Sequence, residues 1–175
     1  MSLKNALEID IVKATSSKIE SVDFENLAFG NIFTDHMFIC DFKDGTWQKP
    51  IIKPYEPFLI DPSAKVFHYG QAIFEGMKAY KDINDDIWLF RPNENFRRFN
   101  KSAVRMAMPE VSEEIFIDGL KSILEIEKAW VKKRTRKYII YKTIYDCNWL
   151  WSNRTAFYSI SIYDYTFTCS ILLFG

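Results

Sequence analysis

Among its 175 residues the chain has only two histidines and three cysteines. Cys40, Cys147 and Cys169 stand far apart with no Cys-x-x-Cys spacing. That excludes a compact zinc or redox motif and is read as three reduced thiols of a cytoplasmic protein, with no metal site expected. Six glycines and six prolines exclude collagen-like and low-complexity chains. Neither sign of charge is in excess, since 23 Lys and Arg balance 23 Asp and Glu, so no basic field points to nucleic acid. Apolar runs fall far short of the roughly 20 residues that a membrane helix needs, and no membrane partner is expected. Residues 1–18 carry Glu8 and Asp10 among their apolar positions and read neither as a secretory signal nor as an acid-free transit peptide. Phosphate-loop, paired-histidine and G-x-S-x-G patterns are missing.

What is present is a core's worth of apolar residues, 48%, with 26% charged. The length fits one domain, or one domain with a fragment of another. Residues 1–25 are polar and mixed and read as an extended arm. Met37 to Phe42 reads as a strand, Asp44-Gly45 as a hairpin turn and Trp47 to Ile52 as the returning strand. Asp61-Pro62 reads as the cap and first position of a short helix reaching about Phe74 and ended by Gly76. Met77 to Tyr80 and Ile87 to Phe90 form two short strands around a polar loop. Phe96, Phe99, Ala103 and Met106 recur at helical spacing. A second helix is capped by Ser112 and carries the core stripe Phe116, Leu120, Ile123 and Trp130. This element order predicts an α+β fold.

The chain is not uniform. Residues 134–175 lack Pro, Val, Glu, Gln, Met and His, yet hold six of the nine tyrosines and two of the three cysteines. Their β-branched and aromatic content favours strands, but the alternation is poor and turn signals are few.

Two segments hold candidate chemistry. HYGQAIFEGMKAY, His68 to Tyr80, sets Tyr69 and Phe74 beside Gly70 and Gly76, where flexible backbone and aromatic walls suit a ligand pocket. The plainer reading is that both aromatics belong to the core. LFRPNENFRRFNKSAVRM, Leu89 to Met106, gathers Arg91, Arg97, Arg98, Lys101 and Arg105. A guanidinium fork suits phosphate, although the plainer and favoured reading of any single arginine is a solvated helix face. Arg98 borders the apolar stripe between Phe96 and Phe99, and a partly buried arginine requires an anion.

On these residues the chain resembles the branched-chain aminotransferases, fold-type IV enzymes dependent on pyridoxal 5'-phosphate. FGNIFTDHMFICDF (Phe29 to Phe42) is similar to the opening hairpin of their small domain. KPYEPFLIDPSAKVFHYGQAIFEGMKAY (Lys53 to Tyr80) carries the family's most specific stretch. IWLFRPNENFRRFNKSAVRMAMPEV (Ile87 to Val111) and LEIEKAWV (Leu124 to Val131) follow in the family's order. The resemblance implies the small N-terminal domain of the D-amino-acid aminotransferase-like fold, a mainly antiparallel sheet with flanking helices, over residues 29–133. Residues 1–28 are then an arm and residues 134–175 an unrelated tail.

It further implies that Arg98 binds the cofactor phosphate and that Tyr69, Phe74 and Gly76 line the pocket for a branched aliphatic side chain. The substrates would be a small amino acid and a 2-oxo acid, Leu, Ile or Val with 2-oxoglutarate, and the assembly a homodimer. The Schiff-base lysine and the glutamate on the pyridine nitrogen belong to the family's large domain. No residue here is therefore assigned as catalytic, and the chain reads as an inactive, truncated fragment. The alternatives are a D-amino-acid transaminase or aminodeoxychorismate lyase fragment, or a non-catalytic α+β domain that binds a partner or an anion through its Arg-rich helix.

After Lys133 the resemblance stops. Codons available to Lys142–Trp149, read one nucleotide later, can spell Arg-Pro-Phe-Met-Ile-Ala-Thr, the run that the family carries there. The tail is accordingly read as a frame change near residues 133–137. Genomic sequencing across this point should find the family's lysine-bearing domain in the next frame; an uninterrupted single frame with no such domain downstream would show the tail to be an evolved segment.

Overall fold

The computed structural model describes residues 7–24, 32–57, 59–132 and, as backbone, 138–149 and 158–169. Strands β2 (His36–Lys43) and β3 (Thr46–Trp47) meet at Asp44 and Gly45, both at positive φ, 52° and 77°. A two-residue primed turn requires that geometry, and Phe42 pairs with Trp47 across it. The returning strand is not continuous to Ile52. Gln48 N–H still donates to the Asp41 carbonyl at 2.7 Å, but the pairing is interrupted at Lys49 and Pro50, Pro50 having no N–H to give, and β4 (Ile51–Pro54) resumes it with Phe38 opposite Ile52.

The described part of the N-terminal segment touches the sheet. Strand β1 (Asp10–Ile11) runs parallel to β4, with Asp10 N–H donating to the Pro50 carbonyl at 3.0 Å and Val12 N–H to that of Ile52 at 2.8 Å. Phe24 tilts over Trp130 at 6.1 Å between ring centroids.

Helix α1 (Lys65–Tyr69) is shorter than the sequence predicts. Asp61 spends its carboxylate on Ser63, accepting from its N–H at 2.8 Å, so it caps a turn and the helix starts later. Gly70 at φ 58° ends the helix, not Gly76. Residues expected in its last turns instead open β5 (Ala72–Lys81), which pairs with β6 (Ile87–Leu89) across a turn tied by the Asp82 carboxylate to the N–H groups of Asn84 and Asp86.

Helix α2 (Pro92–Arg105) lies on β5 and buries Phe99 and Ala103, as the spacing predicts. The next helix is capped by Ser112, whose Oγ accepts from Ile115 N–H at 3.2 Å. It begins as a wide π-helical turn, Glu114–Asp118, and tightens into α3 (Gly119–Ile126) over β2. Phe116, Leu120, Ile123 and Trp130 are buried together with Phe38, Cys40, Ile73 and Met77.

The sheet order is β1-β4-β2-β8-β7-β5-β6, with β3 beside β2 and, among the described strands, only the β1–β4 pair parallel. The fold is thus α+β with a mainly antiparallel sheet. Strands β7 (Tyr138–Trp149) and β8 (Tyr158–Cys169) come from the tail. They lie between β2 and β5, not on an outer edge, and so satisfy two otherwise unpaired strand edges at once. An unrelated tail is expected to lack the family's packing; the side chains whose burial would speak against that, Trp149, Trp151, Phe157 and Phe174, lie outside the described residues.

Gly119 fixes how closely α3 sits on the sheet. A Cβ there would meet the Phe38 ring at 2.7 Å, and that ring is fully buried. Gly119→Ala should destabilise the chain by about 1–3 kcal/mol in urea denaturation, overpacking outweighing the helix propensity of alanine.

Candidate functional site

Alternation along β5 decides where each candidate residue goes. Ile73, Glu75, Met77 and Ala79 point inward and are buried. Phe74, Gly76, Lys78 and Tyr80 point to the opposite face, where Phe74 is 69% exposed. Phe74 and Gly76 therefore share one strand face. Tyr69, 72% exposed, is the last residue of α1, two positions before that strand's approach at Gln71. Neither aromatic is a core residue among the described residues, so the plainer reading of both is set aside.

Arg98 comes to β5 from the helix side. Its Nε and Nη2 donate to the two carboxylate oxygens of Glu75 at 2.5 and 2.7 Å, a bidentate fork. Asn95, one turn earlier on α2, donates to Glu75 Oε2 at 2.9 Å. The Glu75 side chain is 4% exposed, whereas that of Arg98 is 68% exposed. The expected partial burial of Arg98 is thus corrected: the buried member of the pair is the carboxylate. The hydrogen bonds and charge of Glu75 raise the Arg98 pKa above its ordinary value, so the guanidinium is always charged. Sequence reasoning passed over Glu75 and Asn95. The available signal was a carboxylate at an inward position of an otherwise apolar alternation, which burial obliges to find a cation.

A second charged cluster lies at the far end of the fold. Ala14 N–H donates to His36 Nε2 at 2.8 Å, so the ring proton sits on Nδ1 and is donated to Glu127 Oε1. Asp35 N–H donates to the other Glu127 oxygen at 3.4 Å. The Asp35 carboxylate accepts from Ser17, from Lys18 N–H at 3.0 Å and from the Trp130 indole at 3.0 Å. Burial raises the Asp35 pKa, but these hydrogen bonds and the Lys18 charge outweigh it and leave the group below its usual value. Glu127 is the reverse: burial dominates and holds its carboxyl above the usual range, despite the opposing bond and charge of His36. A groove of about 470 Å³ runs between this cluster, Lys13 and Ser17. It does not include Arg98, Tyr69, Phe74 or Gly76. Among the described residues no group of His, Cys, Asp and Glu could hold a metal ion, and no helix is long and apolar enough to cross a membrane.

No family model matches the chain. Among curated proteins it is 48% identical over 115 residues to branched-chain-amino-acid transaminase 1 of Bacillus subtilis, 65% of this chain and 32% of that one. The chain resembles the N-terminal part of a branched-chain-amino-acid aminotransferase. A probable branched-chain-amino-acid aminotransferase of Staphylococcus epidermidis is 50% identical over 113 residues, 64% of this chain and 31% of that one. The chain spans about a third of the length of these relatives.

The fold of the Escherichia coli branched-chain amino acid aminotransferase matches with a TM-score of 0.56 at 18% identity, over 81% of this chain and 42% of that one. The enzyme of Thermobaculum terrenum, an M4 mutant, matches at 0.52 and 12% identity, over 77% and 38%. Coverage of 81% is more than residues 1–133 alone account for, so the likeness of fold takes in some residues of the tail.

The raised carboxyl of Glu127 has a definite sign. Between its unfolded value, about 4.3, and its raised folded value, the folded state binds more protons than the unfolded one. The stability that Glu127 contributes is fully present below that window and is lost as pH rises through it. Asp35, held low, has the opposite sign and is retained in both proteins compared. Urea denaturation from pH 3 upward should show the stability of wild type relative to Glu127→Gln falling as pH rises through the window; a difference independent of pH would show Glu127 to titrate normally.

Proposed function

We propose that residues 29–133 hold the cofactor phosphate and line the substrate pocket of a branched-chain-amino-acid transaminase. The reaction is transfer of the amino group between leucine, isoleucine or valine and 2-oxoglutarate on pyridoxal 5'-phosphate, in a cytoplasmic homodimer of branched-chain amino acid metabolism. The observation that carries this reading is 48% identity over 115 residues to a branched-chain transaminase, a stretch long enough to include the Tyr69–Gly76 and Arg98 segments.

The residues present fit the phosphate end of the cofactor. Arg98 is exposed, permanently charged and anchored by a buried carboxylate, and three of its five N–H groups are not engaged by Glu75. When bound, pyridoxal phosphate supplies a ring that withdraws electrons from the substrate Cα. Arg98 binds the phosphate dianion through charge-assisted hydrogen bonds. Phe74 and Tyr69 offer exposed aromatic surface to an aliphatic side chain and exclude water around it. Gly76, on the same strand face as Phe74, leaves space where any other residue would project a side chain. The lysine that bonds covalently to the cofactor lies, in the family, beyond the stretch that this chain resembles, so the proton transfer at Cα is assigned to none of the residues described.

Two measurements test the proposal. The 175-residue chain alone, mixed with pyridoxal phosphate, leucine and 2-oxoglutarate, should form no glutamate, and borohydride should fix no cofactor on a specific lysine. Residues 1–133 joined to the remainder of the Bacillus subtilis relative should form glutamate from leucine. Arg98→Ala in that chimera should weaken cofactor retention by roughly tenfold or more. A chimera that retains cofactor equally well without Arg98 would overturn its assignment.

A further inference from the structure

We propose that Glu75 is a positioning residue: it clips one edge of the Arg98 guanidinium to the sheet so that the opposite edge is presented, already oriented, to a phosphate. The inference rests on the reading of Arg98 as the phosphate ligand.

Glu75 occupies an inward position of β5, between Ile73 and Met77, where its carboxylate is 4% exposed. A buried carboxylate at such a place needs both oxygens satisfied, and both are. Oε1 accepts from Arg98 Nε, while Oε2 accepts from Arg98 Nη2 and from Asn95 Nδ2. Asn95 and Arg98 are three residues apart on α2 and so reach the strand from the same helix face. Asn95 also donates to the Gly76 carbonyl at 3.4 Å, which ties this helix face to the strand backbone itself.

A guanidinium is planar, with five N–H groups arranged as two forks. The Nε/Nη2 edge is taken by Glu75. A side chain held by two parallel bonds cannot rotate about its last torsions, so the remaining Nη1/Nη2 edge keeps one direction. Among the described residues that edge has no other hydrogen-bond partner, and the side chain is 68% exposed. Phosphate oxygens, like those of a carboxylate, bridge two parallel donors, and on the reading of Arg98 as the phosphate ligand a phosphate is what this edge takes. The orientation cost is met when the chain folds, before any ligand arrives.

The opposite possibility is concrete. A carboxylate next to Arg98 also offsets its charge, and if that effect dominated, removing the charge would strengthen anion binding. The two roles therefore predict opposite signs.

The test uses the 175-residue chain and inorganic phosphate. Phosphate titration followed by NMR should show saturable binding that shifts an Arg Nε–H signal, the one lost in Arg98→Ala. Glu75→Gln should bind phosphate roughly tenfold more weakly, and its Arg98 Nε–H signal should merge with those of freely rotating arginines. Asn95→Ala, which removes no charge and leaves the fork, should weaken phosphate binding by only a few fold. Phosphate binding in Glu75→Gln equal to or tighter than wild type would overturn the positioning role while leaving Arg98 as the ligand. If Glu75→Gln does not fold, an Arg98 Nε–H signal in wild type indistinguishable from those of freely rotating arginines overturns it instead. Wild type without saturable phosphate binding would overturn both readings.

Discussion

Strand β5 can be buried on one face only, and most of the candidate site follows from that. Helix α2 covers Ile73, Glu75, Met77 and Ala79, so Phe74, Gly76 and Lys78 must look the other way. The same alternation forces a carboxylate beneath a helix, where desolvation would be severe without a cation. Arg98 and Asn95 answer from α2. A register slip of one residue would turn Glu75 out to solvent, bury Phe74 and Lys78, and dismantle the arginine anchor at the same time.

A second buried carboxylate does comparable work at the other end. Glu127 follows α3, accepts from His36 on β2, and through the His36 ring reaches the backbone of Ala14. Asp35 adds Ser17, Lys18 and Trp130. Three stretches far apart in sequence, the N-terminal segment, the first long strand and the end of the last helix, are joined by polar groups that exclude one another's solvent. The described part of the N-terminal segment is therefore fastened to the sheet, with β1 beside β4.

The segments with strong local signals were legible from the residues. Asp44-Gly45 needs positive φ and adopts it; Phe99 and Ala103 fall on the buried face of α2; Ser112 caps the helix that follows it. The boundary of α1 was misread because Asp61 has two competing uses, capping a helix or closing a turn on Ser63, and only the neighbouring geometry chooses. Gly70 and Gly76 look alike in sequence. The first adopts φ 58° and ends a helix, while the second lies within a strand.

Sequence by itself determined the class of fold, the hairpin, the helical stripes and the likeness to the N-terminal part of branched-chain aminotransferases, because each is carried by residues close together in the chain or by long runs of identity. Tertiary structure alone decided that Arg98 is fastened to Glu75, that His36 links Ala14 to Glu127, that Gly119 must lack a side chain against Phe38, and that the tail strands lie between β2 and β5. Those contacts join residues from about 20 to more than 100 positions apart. Their partners are fixed by the register of β5 and by the packing of α2 and α3 on the sheet, and neither quantity is written in any local stretch of residues.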